Sequence, residues 1–365
     1  MPGNIPRIKY LNYPILNNVE PMSGIMKMKF LVIGCGFIGR IYLDALTRID
    51  DAEAVAVVDT DLDKVRSVAK RYNIPKYFTD WRNALELDVD VAAVCVPVKY
   101  HKEITLEALK RGINVLCEKP PALNSSEAVE MMNAATKYRR ILMYGFQWRF
   151  IERCIYAKRL IESGVLGKIY KVRIHYLRKE GFPSWSGSWL FRKELAGGGI
   201  LIDCGVHFID LIYWLLGRPK PKAVFGVQHD YLGRNIEGFD VEDTYSGVVV
   251  FEDDVCVSME YSWSQIWHEE FTLNIYGTRG SIRLFPEVEL VRKEDETYLK
   301  IIPELKEPED YWLEANYQKI RHMVGLLKTG EYQDITPNPE DGVEVMRIID
   351  GLYESSRKLA SVKLS

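Results

Sequence analysis

None of the six cysteines forms a CxxC pair, and neither sign of charge dominates, with 48 Lys and Arg against 51 Asp and Glu. The first absence speaks against a disulfide framework. Cys35, Cys95, Cys117, Cys154, Cys204 and Cys256 are scattered, mostly in apolar runs, as buried reduced thiols of a cytoplasmic protein would be. The second leaves neither a nucleic-acid footprint nor an acidic tail, so no nucleic-acid partner is expected. No apolar run reaches the length of a membrane span, and residues 1–26 lack a basic-then-apolar signal pattern, so no membrane partner is expected either. No set of His, Cys and carboxylate has zinc spacing, and no metal is expected. Repeats and low-complexity tracts are missing too. What remains is a 365-residue chain, 47% apolar, long enough for two domains with a sizeable core.

Lys29 to Ile33 is a β-rich run followed at once by Gly34-Cys35-Gly36-Phe37-Ile38-Gly39 and then by a helical pattern with Ile41, Ala45 and Leu46 on one side. This is GxGxxG between a strand and a helix. Gly34 permits the tight turn, Gly36 lets backbone touch a pyrophosphate, and Gly39 lets helix and strand pack closely. The helix N-terminus, with Phe37 and Ile38, faces the phosphates. A second strand, Ala54 to Val58, ends in Asp59, twenty residues past Gly39, where an acidic residue binds ribose hydroxyls and repels a 2′-phosphate. No Arg follows until Arg66, so NAD is favoured over NADP. Strands and helices keep alternating through Val89–Val96, Ile113–Cys117 and Ile141–Tyr144, which predicts a doubly wound parallel sheet over 29–149. Ligands sit at the carboxyl ends of such strands. Pro97, His101, Glu118, Lys119 and Gln147 fall there and join the candidate cofactor residues. Lys119, between a carboxylate and a proline, either loses solvent and titrates near neutrality or makes an exposed salt bridge with Glu118.

From Arg149 the pattern changes. A helix from Glu152 and a strand from Ile169 precede Gly181–Trp189 (GFPSWSGSW), a loop whose aromatics and hydroxyls suit a sugar or polyol, with Trp189 as a candidate substrate contact. Strand-like runs at 222–228, 243–251, 255–263, 270–276 and 281–285 predict a large, mostly antiparallel open sheet in an α+β domain over 150–365. Its free face offers a route to a homodimer or homotetramer. Tyr311–Lys328 and Pro339–Ala360 read as closing helices, the latter capped near Asn338. Residues 1–28 stand apart as a leader, either an arm packed on a neighbour or a stretch ahead of a later start at Met26 or Met28.

Between Gly197 and Gly217 runs GGGILIDCGVHFIDLIYWLLG. A helix from about Leu201 to Leu216 would put Asp203, His207, Asp210 and Trp214 on one side at steps of four, three and four. Nearly every other position is apolar, so the helix should be buried, where carboxylates and an imidazole must be paired or used. The preceding glycines let backbone approach something closely, as a ligand floor requires. The structural alternative is a core helix whose His207 is held by Asp203 or Asp210.

Taken in order, GCGFIG, VPVKYH, CEKP and the last motif resemble the Gfo/Idh/MocA oxidoreductase family over almost the whole chain from Lys29. The resemblance implies a Rossmann domain, an open-sheet domain that often forms dimers or tetramers, and a substrate site lined by Lys119, Asp203 and His207. The expected reaction is hydride transfer between a sugar, cyclitol or related polyol hydroxyl and the nicotinamide of NAD. His207, with an unperturbed pKa of about 6.5, would take the hydroxyl proton. Lys119 would bond the same oxygen, Asp203 would orient substrate or His207, and Asp210 would support the helix. The rivals are an NAD-dependent glycoside hydrolase that oxidises transiently, a non-catalytic NAD(H) or sugar sensor, and a metal-dependent hydrolase using Asp203, His207 and Asp210.

Overall fold

The computed structural model describes residues 27–179, 181–182, 189–332 and 335–364. Short runs, mostly apolar and covered on both faces except at the exposed edge strand β3, make a first sheet from β1 (Met28–Ile33), β2 (Ala52–Val58), β3 (Lys76–Phe78), β4 (Val91–Val94), β5 (Asn114–Cys117) and β6 (Leu142–Tyr144). All are parallel, in the order β3-β2-β1-β4-β5-β6. The crossovers carry α1 (Phe37–Leu46), α2 (Leu62–Arg71), α3 (Trp81–Ala84), α4 (His101–Lys110) and α5 (Ser125–Tyr138). Strand order reverses between β1 and β4, which opens a crevice at their carboxyl ends.

After α6 (Glu152–Glu162) comes β7 (Ile169–Lys179), then α7 (Lys193–Ala196) and a π-turn, Leu201–Gly205, that runs into α8 (Val206–Leu215). The second sheet adds β8 (Pro221–His229), β9 (Thr244–Phe251), β10 (Cys256–Gln265), β11 (Glu270–Gly277), β12 (Gly280–Phe285), β13 (Glu289–Glu294) and β14 (Thr297–Ile301). Two long helices, α9 (Tyr311–Thr329) and α10 (Pro339–Lys358), and the short β15 (Val362–Lys363) complete the chain. The nine strands lie in the order β14-β13-β12-β11-β7-β10-β9-β8-β15, antiparallel except for the parallel pair β7–β10. Tyr245, Val249 and Phe251 of β9 point into the core, as do Val257, Met259 and Tyr261 of β10. The ring of Phe208 on α8 stacks on Tyr261, 5.9 Å between centres, so α8 lies against this face.

Several expectations need amending. The sequence pattern misses β13 and β14, because these strands at one end of the sheet bury little and carry no clear apolar alternation. The helical stretch Lys193–Leu215 is in fact long and apolar enough to span a membrane, but 83% of its most apolar window is buried inside the protein, as in a core helix. The helix over Gly197–Gly217 is not regular. Its π-turn inserts extra backbone before α8, so Asp203 is not in α-helical register with Asp210. Finally, α9 returns to the first sheet, where Ile320, Met323, Val324 and Leu327 share a core with Phe30, Val32, Tyr42 and Leu43.

Candidate active site

A cleft of about 990 Å³ lies over the carboxyl ends of the first sheet and reaches the start of the α8 segment. Gly34, Gly36, Phe37, Ile38, Asp59, Pro97, Glu118, Lys119, Trp189 and Asp203 all line it. Gly34 adopts φ 101° and sits so close to Cys95 that a Cβ would fall 2.2 Å from its carbonyl oxygen. A Cβ at Gly39 would fall 1.8 Å from the Gly34 oxygen, so the first and last glycines serve turn geometry and backbone packing, unlike Gly36. At Gly36 a Cβ would meet nothing within 4 Å, and no side chain caps α1 there. The uncapped amides of the first helical turn, above a position kept clear of side chain, fit a dinucleotide pyrophosphate. Asp59 accepts the Cys35 N–H at 2.9 Å and pairs with Lys64 at 2.7 Å, a partner the sequence reading did not foresee. His101 does not line the cleft: its two ring nitrogens lie 2.9 Å from the Pro120 and Val96 carbonyls and tie the two strand-end loops together. Gln147 is buried, its Oε1 without a hydrogen-bond partner among the described residues. The loop expected at Gly181–Trp189 falls largely on residues 183–188, outside the described residues; Trp189 itself lies on the cleft wall.

Two segments far apart in sequence meet at the cleft. Lys119 Nζ donates to Asp203 Oδ1 at 2.9 Å and to the Asp203 carbonyl at 2.8 Å. Burial works against the ammonium, but the Asp203 carboxylate outweighs it and holds the Lys119 pKa above its ordinary value. The expectation of a lysine titrating near neutrality is therefore corrected, and so is the exposed pairing with Glu118. Asp203, whose ionisation burial alone would oppose, is kept low by Lys119; its other oxygen accepts from Trp263 Nε1 at 3.2 Å and from the Cys204 thiol at 3.3 Å. His207 is buried and its Nδ1 has no hydrogen-bond partner among the described residues. Neither Asp203 nor Asp210 holds it. Desolvation, with the positive charges of Lys119 and then Lys319, pushes its pKa well below 6.5 and leaves it neutral.

Gly198 lines the cleft, and the glycines before the helix also meet packing demands. A Cβ at Gly199 would fall 1.8 Å from the Glu242 carbonyl, and one at Gly198 2.0 Å from the Tyr353 hydroxyl. The buried Glu242 carboxylate accepts the Gly199 and Leu201 N–H groups and the Tyr353 hydroxyl, and so fixes the entry to the π-turn. Asp210 faces away from the cleft, clasped through both oxygens by the buried Arg149, which also reaches Asp341; Arg218 completes that cluster. Sequence reasoning missed Lys64, Glu242, Trp263 and Lys319. Lys319 alone left a trace, as a polar position with Asn316 in the otherwise apolar stripe of α9.

Residues 28–146 match the model of an oxidoreductase family with an NAD-binding Rossmann fold, and residues 155–283 match the GFO/IDH/MocA C-terminal domain. A D-glucoside 3-dehydrogenase of Escherichia coli is 28% identical over 92% of this chain and 97% of its own length. A putative UDP-kanosamine synthase oxidoreductase subunit of Amycolatopsis mediterranei is 33% identical over 70% of this chain and 74% of its own. Among solved structures, a levoglucosan dehydrogenase in complex with NADH superposes with a TM-score of 0.83 at 24% identity, covering 93% of this chain and 100% of that one. Its likeness is one of fold. With a dinucleotide cradle on the first sheet and both halves matched in order, the chain belongs to the Gfo/Idh/MocA family of NAD-dependent oxidoreductases.

Proposed function

We propose that the cleft oxidises a secondary hydroxyl of a sugar, most directly a glucoside, with Lys119, Asp203 and His207 around the reacting oxygen. The observation that carries this reading is the Lys119–Asp203 contact at 2.9 Å, made across 84 residues of sequence at the edge of the nucleotide cleft. The near full-length relative that acts on D-glucosides supports the substrate class. The segment Gly34–Gly39 would hold the pyrophosphate, and Asp59 the adenosine ribose. Bound NAD supplies the hydride acceptor.

Lys119 carries three N–H donors and spends two on Asp203, which leaves one for a substrate oxygen. Because Asp203 keeps Lys119 an ammonium, that donor stabilises negative charge as the hydroxyl loses its proton. His207, neutral through burial, takes the proton. Trp263 and Cys204 fix the Asp203 carboxylate and so the lysine. On the cleft wall Trp189 offers an apolar face for the CH side of a sugar ring.

The nucleotide-binding unit takes in 29–149 and the substrate unit 150–365, with α9 reaching back to the first. The six cysteines are all unpaired, which supports the cytoplasm as the compartment. The outer face of the second sheet, with Phe225 and Val248 beside Ser246 and Glu260, offers the surface for a homodimer or homotetramer. The test is growth of the NADH absorbance band with glucosides, free aldoses, inositols and sugar acids. Turnover by glucosides supports the proposal, whereas silence across the panel with NAD shown to bind refutes it.

A further inference from the structure

Lys319 has no exposed side-chain surface, although it lies in a helical stripe with Ile320, Met323 and Val324. Its ammonium is 2.7 Å from Glu118 Oε1, 2.8 Å from Asn316 Oδ1 and 4.5 Å from the centre of the Tyr42 ring. The same Glu118 oxygen accepts the Tyr42 hydroxyl at 2.6 Å, and Oε2 accepts the main-chain N–H of Lys119 at 3.1 Å. Gly145 leaves room for this carboxylate, since a Cβ there would fall 2.5 Å from Oε1. Four charges thus alternate in sign from α9 to the reacting groups: Lys319, Glu118, Lys119 and Asp203.

We propose that Lys319 is a positioning residue for the reaction, holding Glu118 so that the ammonium of Lys119 is left to Asp203 and the substrate oxygen. This rests on the role given above to Lys119. A buried ion pair adds little net stability compared with an apolar pair, but removing one member strands the other. Facing Glu118 are Tyr42 of α1, Cys95 after β4, His101 of α4, Cys117 of β5, Lys119 and Lys319. Burial keeps His101 neutral, so Lys119 and Lys319 are the cations of this group. Without Lys319, the carboxylate has two ways out of its isolation. It draws on Lys119, one residue along, or it takes up a proton. The first removes Lys119 from Asp203, and the second introduces a titration the wild type lacks.

The experiment compares K319M with E118Q/K319M, by crystal structure and by the pH dependence of kcat. In K319M, Lys119 Nζ should lie beyond about 3.5 Å from Asp203, outside hydrogen-bond range. Its kcat should fall about 100-fold, as for a misplaced reacting group, and a new ionisation should appear in the profile. The sugar KM should stay within about threefold of wild type. The double variant is neutral at both positions, so it should fold, regain the Lys119–Asp203 contact, lose the extra ionisation and recover kcat to within about tenfold. An intact contact in K319M, or a folded double variant as slow as the single one, overturns the proposal. If K319M does not fold, the double variant is judged against wild type: a folded double variant that lacks the Lys119–Asp203 contact, or whose kcat is down about 100-fold, overturns the proposal. A wild-type protein that turns over no sugar refutes the proposed reaction, and the contact measurement then still decides whether Lys319 places Lys119.

Discussion

Asp203→Asn tests the centre of the site with little change of shape. The Asp203 and Lys119 side chains are 10% and 16% exposed, so their attraction is only weakly screened by solvent. The amide keeps an oxygen for Lys119 but removes the charge that fixes it. Losing a placed donor for a developing oxyanion costs about 2–4 kcal/mol, or about 30- to 1000-fold in kcat/KM. The protonation state of Lys119 changes as well. In the wild type burial lowers its pKa and Asp203 more than restores it, above 10.5. A lysine raised in this way adds stability that is complete below its unfolded pKa and is lost as pH rises through the higher folded value. In D203N burial is opposed only by Cys204 and Glu118, and Lys119 drops below its wild-type value. The alkaline limb of kcat/KM should therefore move to lower pH, and the loss of thermal stability should be greatest near neutrality and shrink as pH rises. Steady-state kinetics and thermal unfolding across pH measure both. A D203N enzyme within threefold of wild type, with an unmoved alkaline limb, would refute the placement of Lys119.

Four further outcomes follow from the geometry. His207→Ala should cost about 100- to 10,000-fold in kcat and remove an acidic limb that lies below pH 6.5 in the wild type, read from pH–rate profiles. Gly36→Val should leave the melting temperature nearly unchanged yet weaken NADH binding at least about tenfold by fluorescence titration, because its side chain enters open cleft. Gly39→Val should instead lower the melting temperature, since overpacking against the Gly34 oxygen costs about 1–3 kcal/mol. Asp341 sits in a buried position that opposes its charge, but Arg149 and Arg218 hold its pKa at about 2. Its contribution is complete above 3.8 and is lost as pH falls toward 2. Asp341→Asn should therefore destabilise by about 3–5 kcal/mol at neutral pH and progressively less in acid, as followed by denaturant unfolding.

Local signals carried much of this into the sequence. GCGFIG is legible because Gly34 and Gly39 answer backbone demands next to them while Gly36 faces open cleft, and most of the parallel strands because they are short and largely apolar. Asp203 and His207 are legible as polar groups in an apolar helix. Local pattern does not show what they meet: only the family resemblance joined Lys119 to Asp203, 84 residues away, and nothing joined Lys319 to Glu118, 201 residues away. Helical periodicity assumes 3.6 residues per turn and is blind to a π-turn, so it placed Asp203 and Asp210 together although one serves the cleft and the other Arg149. The pairing of Lys119 with Asp203 and not with its sequence neighbour Glu118 follows from Lys319, which arrives from the far end of the chain.

That return of α9 has a practical consequence. Ile320, Met323 and Leu327 finish a core begun by Phe30 and Val32, so a fragment stopped at Arg149 would expose a greasy flank and precipitate. The nucleotide-binding half is not a cassette that can be cut out or grafted by itself. Any chimera that exchanges it must bring the distant helix along, and with it the lysine that reaches Glu118.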